Sequence, residues 1–180
     1  MDKKEKCIII GPSGSGKDYL MRRLVDKGLK PCLKWTTRPM RLNESQGKDY
    51  DFKSNEEFNS NLDKLITHQT FSVTPENSEP TTWHYGISKE EFLNSQVVIL
   101  TPVEYKTIDF ESFNREDLFV VYLDIERVIR ESRLHNREDK NDSVKRRLDS
   151  DEIDFNNFSD YDLKITDPEF TADDVYNLMD

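Results

Sequence analysis

A glycine-rich stretch near the start of the chain has the residue types and spacing of a phosphate-binding loop. Residues 11–18 read GPSGSGKD and match G-x-x-x-x-G-K, with Asp18 next, where Ser or Thr is usual. Backbone amides of such a loop converge on phosphate oxygens at a helix N-terminus, and the lysine adds a positive charge. We therefore predict that the phosphates of a bound triphosphate contact Ser13, Gly14, Ser15, Gly16, Lys17 and Asp18.

The carboxylate of Asp18 is the unusual feature of this loop, and it has two interpretations. It could bind Mg²⁺ directly or through water, because carboxylates are hard oxygen ligands like the hydroxyl that normally stands there. Alternatively, it only complements the dipole of the helix in its first turn. A carboxylate beside phosphates would repel them unless a cation lay between, and this favours a metal-binding role.

The loop must be held between a buried strand and a helix, and the sequence predicts both. Residues 6–10, KCIII, form a short apolar run typical of a buried parallel strand, and a helical pattern after the loop ends at Gly28. This context favours a phosphate loop over a glycine-rich turn without a ligand. Apolar runs at 97–100, 118–124 and 163–166 predict further strands. Their alternation with helices predicts an α/β fold, a P-loop NTPase-type parallel sheet with helices on both faces.

The segment between the first helix and the strand at 97–100 differs in character. It is polar and rich in turns, and TPENSEP at 74–80 is a loop by composition, so this region is predicted to be an insert on the core. Ser54 with Glu57, and Ser88 with Glu91, have the spacing of capping boxes. Each pair is predicted to open a short helix, and these helices end near residues 62 and 95. From Glu126 to Leu148 the pattern is helical and dense in charge.

Length and composition narrow the class of protein. The 180 residues suit one domain, with 34% hydrophobic and 34% charged residues. The net charge of −10 argues against a nucleic-acid partner, whose binding face would be basic. Cys7 and Cys32 are too few for a disulfide framework. No signal peptide or membrane span is recognisable, so we expect a cytoplasmic protein without a membrane partner.

Three further stretches resemble segments of the guanylate kinases. Residues 35–58 contain TTR, a second arginine, a glutamate and a DY pair, as in the GMP-binding segment of that family. Residues 83–92, WHYGISKEEF, resemble the family's YYG segment and the helix after it, and residues 133–148 resemble its lid. The segments occur in the family's order, so the resemblance covers essentially the whole chain.

The resemblance implies a kinase that uses ATP and Mg²⁺, and it implies roles for individual residues. The acceptor's phosphate would be bound by Arg38, Arg41, Glu44, Tyr50 and Tyr85. The catalytic groups would be Lys17 and the lid residues Arg133, Arg137 and Arg147. The resemblance also implies a core of residues 1–33, 97–125 and 149–180, a monophosphate-binding subdomain of residues 34–96 and a lid of residues 126–148.

Departures from the family pattern concern the base and the metal. The family usually has a serine before TTR, a glutamate within the segment that here reads LITHQTF, Ser or Thr after YG, and Asp-x-Asp after the strand at 97–100. Those places here hold Lys34 or Trp35, Thr67 or His68, Ile87, and Thr101 to Val103. The base-proximal residues that we predict from this set are Thr67, Ile87 and Thr101. Asp18 remains the main candidate for a metal ligand, and Glu104 is a weaker one. Thr166 and Asp167 stand where the family contacts adenine.

The acceptor therefore stays open at this point. GMP or dGMP is the family default, but a pyrimidine or modified base is compatible with the altered residues. Deoxynucleoside monophosphate kinases of bacteriophages also carry a GKD loop. Ribose 1,5-bisphosphate phosphokinases share the GPSGSGKD loop, and a non-catalytic interaction module would be a third class. The partners expected are small nucleotides, and the sequence does not distinguish a monomer from a homodimer.

Overall fold

The computed structural model describes residues 4–74, 79–108, 114–136 and 143–179. The strands are β1 (Lys6–Ile10), β2 (Trp35–Thr36), β3 (Asp51–Phe52), β4 (Leu65–Val73), β5 (Thr81–Ser88), β6 (Val97–Leu100), β7 (Leu118–Leu123) and β8 (Leu163–Ile165). The α-helices are α1 (Lys17–Asp26), α2 (Asn55–Asn59), α3 (Lys89–Asn94), α4 (Pro102–Thr107), α5 (Arg127–His135), α6 (Val144–Asp154) and α7 (Asp173–Tyr176).

A parallel sheet of order β6-β1-β7-β8 carries the phosphate loop at the end of its strand β1. Its four strands coincide with the apolar runs of the sequence, which overran β7 and β8 by one residue each. Strand β1 is buried along its whole length, and four of its five residues are apolar. The fifth is Lys6, whose ammonium group donates to the backbone carbonyls of Phe92 and Ser95. The predicted parallel α/β sheet is confirmed.

Two apolar clusters cover the opposite faces of this sheet. Cys7 and Ile9 of β1 pack with Leu20 and Leu24 of α1 on one face. Ile8 and Ile10 point to the other face, in a cluster that also holds Phe92 of α3. Each fully buried side chain of this size contributes about 1.5–3 kcal/mol through its removal from water. The same packing fixes the position of the loop between β1 and α1.

A second sheet, of order β3-β2-β5-β4, is formed by residues of the predicted insert. Its longest pairing is the antiparallel one of β4 with β5, which sets Gln69 opposite Tyr85 and Thr67 opposite Ile87. Residues 75–78, within the predicted loop at 74–80, lie outside the described residues. The short strand β2 ends at Thr36, two residues before Arg38, which is the arginine of TTR.

Helix ends test the capping predictions. Ser54 and Glu57 form the full reciprocal capping box at the start of α2. Ser88 accepts from the Glu91 amide at the start of α3, but the Glu91 carboxylate accepts from the Leu33 amide instead of closing the box. The Leu33 amide is available to Glu91 because α3 packs against the segment that leads into β2. Within the described ranges, we find no helix that is both long and apolar enough to cross a bilayer.

Candidate active site

The loop between β1 and α1 has the backbone conformation that its glycines allow. Gly14 and Gly16 have φ angles of 76° and 103°, in the left-handed region that favours glycine. A Cβ on Gly14 would lie 2.8 Å from the carbonyl oxygen of Arg130, so no larger residue fits there. Ser15 is buried beneath the loop, and its Oγ has no hydrogen-bond partner among the described residues. The loop is therefore tightly turned, with the Ser15 side chain buried.

The donors of the loop hold oxygen atoms of the protein itself. The Lys17 ammonium group donates to the carbonyl oxygens of Gly11 at 2.6 Å and Pro12 at 3.0 Å. The Ser13 amide donates to Asp151 Oδ2 at 2.9 Å, and the Ser13 hydroxyl donates to Asp151 Oδ1 at 3.2 Å. Asp151 lies on α6, far along the chain, and neither composition nor motif pointed to it. Its role is visible only in the folded molecule.

Two arginines of α5 pack against the outer, carbonyl side of the loop. Arg130 donates through Nη1 to the Ser13 carbonyl at 3.4 Å and to Asp151 at 3.3 Å. Arg133 donates to the carbonyls of Gly14 and Ser15, and through Nη2 to Pro168 at 3.0 Å. In this arrangement Arg133, predicted from the lid segment, joins the loop to the turn after β8. Sequence reasoning missed Arg130 because its contacts are buried.

The turn after β8 lies beside the start of α1. Thr166 and Asp167 are exposed there, and Asp167 Oδ1 accepts from the Glu169 amide at 2.9 Å. The ring of Phe170 would lie 3.3 Å from a Cβ on Gly16 and makes an edge contact with Tyr19. The structure thus brings the predicted adenine-proximal residues to the outer side of the phosphate loop.

The buried Arg38, ion-paired with Glu44, forms the centre of the predicted acceptor clamp. Arg38 is 4% exposed and donates through Nη1 and Nη2 to the two oxygens of Glu44 at 2.9 and 2.8 Å. The Arg41 amide donates to the same carboxylate at 2.8 Å. Burial alone would raise the pKa of Glu44, but these hydrogen bonds outweigh it and the pKa is lowered. Glu44 therefore orients both arginines, and its own charge opposes direct contact with a phosphate.

Two tyrosines complete this clamp. The Arg38 guanidinium lies 5.3 Å from the ring centre of Tyr50, and the rings of Tyr50 and Tyr85 are 6.1 Å apart. Burial raises the pKa of Tyr50 well above its usual value, and the neighbouring Tyr85 and Asp18 raise it further. Burial also raises the pKa of Tyr85, although Arg38 opposes it. Both hydroxyls therefore stay protonated at neutral pH and can donate to phosphate oxygens.

The influence of Asp18 on Tyr50 shows where the loop and the clamp approach each other. Asp18 is exposed in the first turn of α1, and its charge is near enough to act on the Tyr50 hydroxyl. The charge of Asp18 therefore acts on one of the tyrosines of the clamp. No group of three or more His, Cys, Asp or Glu side chains in the described part of the chain is arranged as a metal site.

Glu104, the weaker metal candidate, is occupied by the protein. It is 1% exposed, and its Oε1 accepts from the Lys34 ammonium at 2.6 Å. Its Oε2 accepts from the Thr101 amide at 2.8 Å, which closes a capping box at the start of α4. Both oxygens are therefore committed to structural contacts, and this leaves Asp18 as the better candidate for a metal ligand.

The predicted base-proximal residues lie around this ion pair. The Thr101 hydroxyl donates to Gln69 Oε1 at 2.7 Å, and the Thr67 hydroxyl donates to the Glu104 carbonyl at 3.0 Å. Ile87 is 0% exposed and packs in the apolar cluster behind the sheet. Its side chain therefore belongs to the core, although alternation along β5 places it on the same face of the strand as Tyr85.

Comparison with known proteins agrees with this arrangement. The sequence profile of the guanylate kinase family matches residues 3–177. The chain belongs to the guanylate kinase family. It is 30% identical to the guanylate kinase of Rickettsia bellii, over 99% of this chain and 96% of that protein. It is 31% identical to the guanylate kinase of Malacoplasma penetrans, over 99% of this chain and 91% of that protein.

The comparison with solved structures concerns the fold. A crystal structure of guanylate kinase from Anaplasma phagocytophilum has a TM-score of 0.67 and 20% sequence identity, covering 98% of this chain and 85% of that one. The predicted α/β fold is thereby confirmed. Membership of the guanylate kinase family makes this chain a nucleoside monophosphate kinase that uses ATP with Mg²⁺ as the phosphoryl donor.

Of the other two residues predicted for the lid, the structure describes one. Arg147 is half-buried near the start of α6, and Arg137 lies outside the described residues. The charged helical region predicted at 126–148 corresponds to α5 and α6, of which α6 continues to Asp154. The sequence prediction ended too early because the many charged residues of this segment obscure its helical pattern. The buried residues of α6 are Leu148 and Asp151.

Proposed function

We propose that this protein transfers the γ-phosphoryl group of ATP to a nucleoside or deoxynucleoside 5′-monophosphate, with GMP or dGMP as the principal acceptor. The products are the nucleoside diphosphate and ADP. The observation that carries the proposal is the ion pair of the buried Arg38 with Glu44, joined by Arg41, Tyr50 and Tyr85. A dianionic phosphate suits this set of cationic and hydroxyl donors. The names of the similar guanylate kinases support GMP as the acceptor.

On the donor side, the phosphate loop would hold the ATP phosphates through its amides and Lys17. The contact of the Ser13 amide with the Asp151 carboxylate supports this fit, since the loop amide already donates to an anionic oxygen. Asp18 would hold Mg²⁺, because an exposed carboxylate beside phosphates offers the oxygen ligand that this ion takes. When bound, Mg²⁺ neutralises charge on the transferred phosphoryl group.

The protein's own groups account for the remaining catalysis. Lys17, Arg133, Arg137 and Arg147 would neutralise the charge that develops between donor and acceptor, and positioning dominates this kind of transfer. We further propose the division into a core of residues 1–33, 97–125 and 149–180, a monophosphate-binding subdomain of residues 34–96 and a lid of residues 126–148. Closure of that lid would exclude water, the competing acceptor.

A second acceptor class has its own support. The positions expected to read the base are occupied by internal contacts, namely Lys34 with Glu104 and Thr101 with Gln69. A site that hydrogen-bonds a base edge discriminates strongly, and one whose groups are already paired discriminates less. A kinase with broader base tolerance, or one adapted to a pyrimidine or modified base, is therefore the second candidate.

The test is an ADP-release assay with ATP, Mg²⁺ and a panel of acceptors. The panel contains all common ribo- and deoxyribonucleoside monophosphates and ribose 1,5-bisphosphate. Highest kcat/KM with GMP or dGMP supports the proposal, and comparable values across bases support the second candidate. Activity with ribose 1,5-bisphosphate alone, or with no member of the panel, overturns both.

A further inference from the structure

Asp151 brings a second anionic group into the phosphate loop. Its carboxylate accepts both donors of Ser13, the amide at 2.9 Å and the hydroxyl at 3.2 Å. Asp151 lies in the middle of α6, a helix of the charged segment, whereas Ser13 lies between β1 and α1. The two residues are 138 positions apart in sequence. The contact is thus a tertiary one that ties this helix to the rim of the loop.

The surroundings of the Asp151 carboxylate strengthen its repulsion of any other anion bound nearby. Asp151 is 9% exposed, and its main cationic partner, Arg130, is 6% exposed. Burial raises the pKa of Asp151, while the Ser13 bonds, Lys17 and Arg130 oppose that rise. Lys17 is therefore near enough to act on this carboxylate. In a poorly solvated site two negative groups repel more strongly than in water.

The loop cannot give the same donors to Asp151 and to a phosphate. Each N–H or O–H of Ser13 carries one hydrogen, and both hydrogens point to Asp151 oxygens. In the proposed placement of ATP, the two inner phosphates would take the amides that follow Ser13 along the loop. The terminal phosphate would then extend toward Ser13, where Asp151 is bound.

We propose that Asp151 sets the preference of this loop between a nucleoside triphosphate and a nucleoside diphosphate. This proposal rests on the proposed binding of ATP phosphates by the loop. The terminal phosphate of ATP has to displace the carboxylate from Ser13, whereas ADP leaves it in place. Asp151 thereby weakens ATP binding relative to ADP binding and couples arrival of the γ phosphate to release of α6 from the loop. Asp151 is in this sense a specificity-determining residue that acts through Ser13.

The test compares Asp151→Asn with Asp149→Asn by calorimetry. The first change keeps the shape of the side chain and removes its charge. Asp149 is a matched control, because it lies on the same helix and is partly exposed, paired with Arg127 and Lys145 away from the loop. The ligands are ADP and the non-hydrolysable ATP analogue with an imido group between its β and γ phosphates, each with Mg²⁺.

We expect Asp151→Asn to bind the analogue about tenfold more tightly than the wild type, the difference between a charged and a neutral acceptor on Ser13. ADP binding should change less than twofold, and Asp149→Asn should change neither. An unchanged ratio of the two affinities in Asp151→Asn, or weaker binding of the analogue, overturns the proposal. If neither ligand binds the wild type, the proposed placement of ATP itself fails, and this proposal fails with it.

A measurement on the wild-type protein covers the case in which Asp151→Asn does not fold. With ¹³C-labelled aspartate and ¹⁵N-labelled backbone, the carboxyl signal of Asp151 and the amide signal of Ser13 report on their hydrogen bond. The proposal predicts that saturation with the imido analogue shifts the Asp151 carboxyl signal and that ADP leaves it unchanged. Equal responses to both nucleotides contradict it.

Discussion

Replacing Arg38 with lysine keeps the positive charge of the clamp but removes its bidentate hydrogen bonding. Arg38 donates through two nitrogens to the two oxygens of Glu44 at 2.9 and 2.8 Å, and a single ammonium group cannot reproduce both contacts. One charge-assisted hydrogen bond lost at a buried site corresponds to about 2 kcal/mol. We therefore expect Arg38→Lys to lower the free energy of unfolding by about 2 kcal/mol.

Arg38→Lys should also weaken binding of the monophosphate acceptor. If the phosphate of the monophosphate also loses one charge-assisted contact, its KM rises about thirtyfold, while the KM for ATP changes less than twofold. Initial rates measured against each substrate, with the other saturating, give both values. Urea unfolding followed by circular dichroism gives the stability.

Arg115→Lys is the matched control for this experiment. Arg115 also pairs with two carboxylates, those of Asp160 and Asp162, at 3.0 Å each, but it lies outside the site. We expect it to lower stability without changing either KM. The reasoning is refuted if Arg38→Lys leaves the monophosphate KM unchanged, or if both variants raise it equally.

Further predictions concern the loop and the thiols. Asp18→Ala should raise the Mg²⁺ concentration for half-maximal activity about tenfold and leave the monophosphate KM within about twofold; an unchanged Mg²⁺ dependence would make Asp18 only a first-turn helix acid. Gly14→Ala should cost about 2–5 kcal/mol of unfolding free energy and abolish ATP binding in calorimetry, since its Cβ would lie 2.8 Å from a backbone carbonyl. Gly47→Ala, with the same φ of 76° and open space around it, should cost about 1 kcal/mol; equal costs would exclude the clash. Burial raises the pKa of both Cys7 and Cys32 to about 12, so neither thiol should react with Ellman's reagent at pH 8 before unfolding. Rapid reaction of the folded protein would contradict their burial.

The strands and the phosphate loop were predictable because local sequence determines them. β1 and β6 coincide with their apolar runs, and the glycines of the loop are required at φ angles that other residues rarely adopt. The capping box at Ser54 is equally local. Such features depend on residues within a few positions of one another, and their patterns survive in any surrounding fold.

Contacts between distant segments were not predictable in the same way. Asp151 reaches Ser13, and Lys34 reaches Glu104, across large sequence separations, and no spacing rule marks either pair. Glu91 shows how a distant partner competes with a local one, since its carboxylate accepts from the Leu33 amide and not from the expected Ser88 amide. Buried polar groups take the partner that the tertiary structure supplies, because leaving one unpaired costs more than breaking a local motif.

The most direct test of the proposed phosphoryl transfer follows the phosphoryl group itself. ATP labelled with ³²P in the γ position is incubated with the wild-type protein, Mg²⁺ and GMP, and the nucleotides are separated by chromatography. The proposal predicts that the label moves into GDP, and that Arg38→Ala greatly slows this transfer. Label that remains in ATP, or that appears only as inorganic phosphate, would contradict it.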